Sequence, residues 1–515
     1  MRSNLLRTAQ CGLRYLSRRP LLSHGPKVAH QCYRGFAATP ATREEKQWST
    51  PLAKHLSEAI NTTGPIPLAT YMRMCLTGDI DGYYTGAMEA GHDQFGRKGD
   101  FVTSPEISQI FGELIGVWFV AEWMSQGRPK QGVELIEIGP GRGTLMDDIL
   151  RTIRNFKGMT SSIETIYMVE ASSELRTVQK NLLCGEDAEM TEYIRGWHSI
   201  YKCTSKYNGL RIVWADSLKA IPPESNKTPF IVAHEFFDAL PIHAFQLVDL
   251  PPTQQPTTPE SSNNKTSSPD SAATPKREWR EMLVSPTPEG TTHADLGTPQ
   301  AERHDPVPEF QLTLSSSVTR HAQYLPESSP RYRALKSIPN ALFEVCPDSS
   351  IYASDFATRI GGSSTTPKSR PSGAALIIDY GPADTIPANS LRGIRQHRRV
   401  SPFAAPGQVD LSADVDFGAI VEAATIASPG VECHGPVDQA YFLEAMGVQQ
   451  RAEMFWRKLE AGLYADNKKK EIESSWRRLV DRGPNGMGKI YKVLTILPEN
   501  EGRRRPVGFG GDVNP

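Results

Sequence analysis

From Val133 onward the chain alternates short apolar runs with amphipathic stretches: "VELIEI", "TLMDDILRTIRNF", "TIYMVE", "SSELRTVQKNLL", "LRIVWAD" and "FIVAHEFFDALP". Apolar runs too short for a buried helix predict buried strands, and apolar residues recurring every three or four positions predict helices. Strand and helix in turn predict a parallel sheet wrapped by helices. Upstream, "STPLAKHLSEAI", "IPLATYMRMCLT" and "SPEISQIFGELIGVWFVAEWM" bring apolar residues back at helical spacing, so residues 48–130 read as a helical segment preceding a domain at 131–498. In "TSPEI", Thr103 and Glu106 have capping-box spacing and Pro105 falls where a first helical turn tolerates a missing N–H.

The pattern breaks at 251–275 and 285–308. These are dense in Pro, Ser and Thr and read as disordered surface insertions around a short strand, "EWREMLV". Strand texture resumes in "FQLTL" and "IPNALFEVC", helical spacing in "IYASDFATRI", and "GAALIIDYG" reads as a fully buried strand. "DQAYFLEAMGV" predicts another helix and "GKIYKVLTIL" a last strand, with 499–515 as a flexible tail.

The first acidic residue, Glu44, comes after eight Arg and Lys residues, among them Arg2, Arg7, Arg14, Arg18 and Arg19. That composition is a mitochondrial transit peptide's. Arg34 in "YRGFAAT" places a matrix-protease cut after Phe36, so 1–36 is expected to be removed; a basic tail is the alternative. Over the whole chain 57 Lys and Arg balance 58 Asp and Glu, and a net charge of -1 with no basic stripe disfavours nucleic acid. The seven cysteines never form a C-x-x-C pair, which supports neither a disulfide framework nor a zinc cluster, and no metal is expected. The most apolar segment, Gly112 to Met124, is interrupted by Glu113 and Glu122 and falls short of the roughly 20 residues a membrane helix needs.

Candidate chemistry begins at "ELIEIGPGRGTLMDDIL". A strand, a glycine turn and a helix put free N–H groups at the carboxyl edge of the sheet, where ligands of such folds bind. The spacing is G-x-G-x-G, with Thr144 where a dinucleotide fingerprint needs its third glycine. "GPNGMGKI" imitates a nucleotide-binding loop until Ile490 replaces the required Ser or Thr. Glu137, Gly139, Gly141 and Gly143 instead match the E-x-G-x-G-x-G of class I methyltransferases, whose loop holds S-adenosylmethionine. Glu170, ending the next strand, is placed to accept both ribose hydroxyls, and Asp216, ending the third, to meet the adenine amino group or to cap a helix.

The fourth strand presents "HEFFDALP". Glu235 and Asp238 bracket Phe236 and Phe237, and carboxylates with aromatic faces suit a cation such as a guanidinium. The alternative makes the two phenylalanines core residues and Asp238 a cap. His234 and His243 receive no role, since a lone histidine beside buried strands is more often a satisfied core group. "RQHRRV" reads as a solvated loop, with partner docking second.

"GDFVTSPEISQIFGELIGVW", "HEFFDALPIHAFQ", "LRGIRQHRRVSPFAAPGQVDLSADVDFGAI" and "GPVDQAYFLEAMG", with the glycine loop and "ALIIDYG", resemble the MidA-type mitochondrial arginine methyltransferases that assist respiratory complex I assembly, from about Pro51 to Leu497. The resemblance implies a class I (Rossmann-like) α/β sheet with a helical N-terminal segment and inserted elements. It also implies S-adenosylmethionine as donor, an arginine of a complex I core subunit as acceptor, symmetric dimethylation and the mitochondrial matrix. Carried over by position, Gly139, Gly141, Gly143 and Glu170 become cofactor residues and "GDFVTSPEIS" a cofactor lid and substrate wall; His234 departs from the asparagine of bacterial members. The competing class is a non-catalytic assembly chaperone on a methyltransferase fold.

Overall fold

The computed structural model describes residues 47–86, 99–250, 276–459, 465–484 and 486–510. The transit-peptide segment and the insertion at 251–275 lie outside these.

A nine-stranded sheet forms the centre. Its spatial order is Val431–Asp438, Tyr491–Pro498, Ala374–Tyr380, Thr228–His234, Val133–Ile138, Ile163–Val169, Arg211–Ala215, His198–Thr204 and Thr191–Arg195. The five strands from Ala374–Tyr380 to Arg211–Ala215 run parallel, with antiparallel pairs at both edges. Every residue of Val133–Ile138 and Thr228–His234 is buried, because helices cover both faces of a parallel sheet and leave no polar side for alternation.

On one face, the helices Gln109–Ser125 and Thr144–Ile153 meet at unusually short range. A Cβ on Gly112 would lie 2.5 Å from Asp148 Cβ, and one on Gly116 3.0 Å from Thr152 Cβ. Glycines four apart clear one helix face, so the helix entering the glycine loop's own helix pair can pack backbone against side chain. Phe119, Trp118 and Phe230 fill the layer beneath. Helices Pro347–Gly361 and Phe417–Ala427 cover the opposite face through Phe356, Ile360 and Ile420.

The first two helices, Pro51–Thr63 and Leu68–Thr77, bury Leu56, Tyr71 and Met72 with Val284 and Phe310 of a second sheet. That sheet corrects the reading of "EWREMLV" as a short strand between insertions. Arg277–Pro286 is ten residues long and central, flanked by Ile66–Pro67, Phe310–Leu314 and His243–Asp249, with Leu342–Val345 beyond. Trp279 and Val284 are buried.

Two expectations of disorder also fail. Residues 285–308 form a hydrogen-bonded loop: Thr292 N–H and hydroxyl donate to Asp295 Oδ2 at 2.8 and 2.7 Å, and Arg303 Nε donates to Thr298 O at 2.9 Å. Ser and Thr, which dilute the composition, here supply the bonds that fix the turns. The tail folds back through residue 510, where Phe509 is buried against Trp118 and Phe442 and Arg504 pairs with buried Glu122 at 2.7 Å. One aromatic anchor among glycines and arginines leaves no periodic trace in the sequence.

Candidate active site

Strand register assembles the site. Ile138 stands opposite Val169, and Val169 opposite Ala215, so Gly139, Glu170 and Asp216 emerge side by side at the carboxyl edge. Gly139 N–H donates to Val169 O at 3.1 Å and Glu170 N–H to Ala215 O at 2.8 Å, which carries the ladder one residue past the strands. Across the sheet Ile378 pairs with His234, and Glu235 N–H donates to Ile378 O at 3.0 Å. These ends surround one cavity of about 680 Å³, lined by Glu137, Gly139, Gly141, Glu170, Asp216, Glu235 and Asp238. Gly143 is the exception; it sits behind the loop against Gln179.

The loop is a cradle shaped by absent side chains. Gly139 has a φ of +65°, and a Cβ there would stand 2.7 Å from Phe236 Cδ2. Gly141 and Gly143 also have positive φ, 51° and 84°, which other residues adopt at a cost of roughly 1–2 kcal/mol each. Glu137 lies under the loop, fully buried, and its Oε2 has no hydrogen-bond partner. Burial, then the charge of Glu170, pushes Glu137 well above the carboxylate range. Glu170 Oε1 accepts from Ser172 N–H at 2.8 Å and Oε2 from Gln179 Nε2 at 2.9 Å, which leaves lone pairs on both oxygens. Burial raises it to about 7. Asp216 is half-exposed at the cavity edge and bonds His198 Nδ1 at 2.8 Å.

Sequence reading missed Gln179. Its Nε2 donates to Gly141 O at 2.6 Å as well as to Glu170, while its Oε1 accepts from Trp214 Nε1 at 2.9 Å. One amide thus ties the glycine loop, the second strand end and the third strand together; nothing in "RTVQKNLL" singles it out.

The opposite wall is acidic. Glu235 has a φ of +49°, a left-handed conformation that costs a non-glycine residue about 1–3 kcal/mol and clusters at functional sites. The turn is held by Asp379, a second residue missed. Asp379 Oδ2 accepts from Phe236 N–H at 3.1 Å and Phe237 N–H at 2.8 Å, and Oδ1 from Tyr380 N–H at 2.9 Å. Its place at the end of "ALIIDYG", level with Glu235, is a signal that could have revealed it. The phenols of Tyr491 and Tyr380 line the same cavity as Glu235 and Asp238, and their polarity partly opposes the burial of the two carboxyls. Burial, then the charge of Asp238, pushes Glu235 up to about 8; burial likewise raises Asp238. Asp238 Oδ1 has no partner. Arg392 lies over the Tyr380 ring, 4.4 Å from its centroid, and donates to Asp414 at 2.7 Å.

His234 Nε2 lies 3.2 Å from Glu235 Oε1 without hydrogen-bond geometry, and burial lowers its pKa to about 3, so the ring is neutral and packs on Phe111. The outer wall is "GDFVTSPEI". Asp100 is buried and binds the 392–400 hairpin, accepting Gln396 N–H at 2.8 Å on its carboxylate and His397 N–H at 2.9 Å on its carbonyl. "RQHRRV" is therefore the tip of a hairpin bolted to the cavity wall, and His397, Arg398 and Arg399 line the cavity. Thr103 occupies the N-cap position but its hydroxyl makes no cap bond. Ser104 N–H reaches Glu235 Oε1 at 3.4 Å.

Comparison with known proteins agrees with this architecture. Residues 114–437 match a family described as "Putative S-adenosyl-L-methionine-dependent methyltransferase". The chain is 34% identical over 453 residues to the Drosophila melanogaster homolog of mitochondrial protein arginine methyltransferase NDUFAF7, spanning 87% of this chain and 85% of that one. The Xenopus tropicalis NDUFAF7 protein is 32% identical over 450 residues, 87% and 86% of the two chains, and the human one 30% over 450 residues, 87% and 84%. A Burkholderia thailandensis COG1565 superfamily member, a likely methyl transferase by its description and bound to S-adenosyl-homocysteine, shares the fold. Its TM-score is 0.59 at 21% identity, covering 89% of this chain and 92% of that one. The glycine cradle, the orphaned Glu137 oxygen and the free lone pairs of Glu170 fit an adenosyl ligand. The chain therefore belongs to this methyltransferase family, with the NDUFAF7 proteins among its relatives, and is an enzyme whose cofactor is S-adenosyl-L-methionine.

Proposed function

We propose that the protein methylates arginine in a protein substrate, a core subunit of respiratory complex I, within the mitochondrial matrix and to the symmetric dimethyl product. Gly139 and Gly141 hold the donor against backbone, Gly143 lets Gln179 brace them, Glu170 takes the ribose hydroxyls, and Asp216 meets the adenine edge. Glu137, beneath the loop, orients it. When bound, the cofactor supplies an electrophilic methyl group for in-line displacement. The chain's own work is then placement of the nucleophile and care of its proton.

Glu235 carries this reading: a carboxylate in left-handed backbone, buried beside Asp238 in a cavity that Tyr380 and Tyr491 also line. Two carboxylates can take a guanidinium by paired N–H donors, and the planar fork matches them where an ammonium would not. Drawing charge toward the gripped nitrogens leaves the remaining one better able to attack. A guanidinium N–H proton must leave after transfer, and Glu235, raised to about 8, accepts it at its carboxylate. His234, held neutral with a value near 3, is a poor base by comparison. The relatives named mitochondrial arginine methyltransferases support the substrate class and the compartment, and the basic N-terminus supports removal of 1–36.

The test is Glu235→Gln in cells lacking the native protein, with complex I arginines read by mass spectrometry. Methylation should vanish while S-adenosylhomocysteine still binds the purified variant. Normal complex I assembly by a variant that no longer methylates would favour a chaperone instead.

A further inference from the structure

Outside the methyl-transfer cavity, the second sheet buries a charged cluster. Glu281, in the central strand Arg277–Pro286, has a fully buried side chain. Facing it are His243 of the neighbouring strand His243–Asp249, itself buried, and His321 of the helix Arg320–Tyr324, whose side chain is 44% exposed. His243 Nδ1 is 2.8 Å from Glu281 Oε1, and His321 Nδ1 is 3.3 Å from the same oxygen. One ligand atom from each residue falls within 4.8 Å of the others, and the imidazole centroids are 4.2 Å apart. None of the three lines the cavity at the strand ends.

We propose that His243, Glu281 and His321 are the protein ligands of a divalent transition-metal site, of zinc class, that ties the second sheet to its covering helix. Ligand atoms about 2.0–2.2 Å from a tetrahedral zinc stand roughly 3.3 Å apart, and Glu281 Oε1 lies 2.8 and 3.3 Å from the two imidazole nitrogens. Two imidazoles and a carboxylate with no thiolate suit zinc and its neighbours, and disfavour magnesium or calcium, which take oxygen ligands. The carboxylate is oriented from behind, as metal-binding carboxylates are. Thr319 Oγ1 donates to Glu281 Oε2 at 2.5 Å while accepting Ala322 N–H at 3.1 Å, so one hydroxyl sets both the carboxylate and the start of the helix that carries His321. His321's exposure opens the fourth coordination position to water. The buried charge points the same way: a fully buried carboxylate needs compensation, and the side chains bonded to Glu281 are two imidazoles and a threonine hydroxyl, with no Lys or Arg among them. Metal binding takes each imidazole in its neutral form, so zinc affinity weakens as pH falls.

The site has a structural use. His243 follows shortly after Asp238 on the same strand-turn-strand passage, and its neighbours Ile242 and Ala244 pack against the first two helices. A metal here would fix the strand that leaves the acidic wall.

The test uses the full chain, purified without a histidine tag, stripped with EDTA and dialysed against zinc or cobalt(II) chloride. Elemental analysis should find one zinc per chain, and the cobalt form should show the visible absorption of a four- or five-coordinate nitrogen–oxygen site. His321→Ala and Glu281→Gln should lose both signals, and His55→Ala, an exposed control on the first helix, should keep them. His321 is exposed enough for its variant to fold, which S-adenosylhomocysteine binding reports independently. Zinc retained in His321→Ala, or none in the wild type above that variant's background, would overturn the proposal and leave a proton-bridged His–Glu–His cluster.

Discussion

Replacing Asp379 by Asn tests whether the acidic wall is held in place by the neighbouring strand. The wild-type carboxylate presents two acceptor oxygens, one to Phe236 and Phe237 N–H and the other to Tyr380 N–H, at 2.8–3.1 Å. An Asn has one acceptor oxygen, so its NH2 must face either Tyr380 N–H or the Phe236–Phe237 pair. Burial, then the charge of Asp238, raises Asp379 well above the carboxylate range, so what is lost is a neutral acceptor: at least one hydrogen bond goes and one buried donor is orphaned, together about 2–4 kcal/mol. The left-handed Glu235 costs about 1–3 kcal/mol to maintain, so a loss of that size lets its turn relax. Chemical denaturation should show the stability loss. At saturating S-adenosylmethionine, kcat/KM for an arginine peptide should fall roughly tenfold or more, while S-adenosylhomocysteine affinity, set across the cavity, stays within about twofold. Because Asp379 touches backbone and not substrate, it is a positioning residue, and the split between acceptor turnover and donor binding separates this from general damage. Wild-type turnover and stability in Asp379→Asn would refute the reasoning.

Gly139→Ala places a Cβ 2.7 Å from Phe236 at a φ of +65° and should weaken S-adenosylhomocysteine binding roughly tenfold or more by calorimetry; unchanged affinity would remove the glycine cradle from the account. With Glu235 raised to about 8, kcat/KM for the arginine substrate should climb as pH rises toward that value and level off above it, and Glu235→Gln should abolish the climb; a flat wild-type profile counts against Glu235. The same group is protonated in the folded protein where the unfolded chain has lost its proton, so its contribution to stability declines between the ordinary 4.5 and about 8. Phe509→Ala should destabilise by about 3 kcal/mol, since the ring is buried between Trp118 and Phe442; a change below about 0.5 kcal/mol would show the tail is only loosely attached.

The parallel core was legible because its buried strands are short and mostly apolar: Ala374–Tyr380 is apolar up to Asp379, and Val133–Ile138 is interrupted only by Glu134 and Glu137. The second sheet was not. Its partners His243–Asp249 and Arg277–Pro286 are separated by a segment whose composition masks the pairing, and half-polar strands look alike as edges or centres. At the site, the strand-end acids follow from register, since each stands where its strand stops. Gln179 and Asp379 act through contacts between elements far apart in the chain, which spacing alone does not encode. His243, Glu281 and His321 were invisible as a group for the same reason, each about forty positions from the next.

The most direct test of methyl transfer to arginine is radiolabel transfer from S-adenosyl-L-methionine by the purified protein to the separated subunits of mitochondrial complex I, followed by amino-acid analysis. The account predicts label in dimethylarginine of a single subunit and none with Glu235→Gln. Label on lysine or a small molecule, or no transfer by a protein that binds the donor, would contradict it.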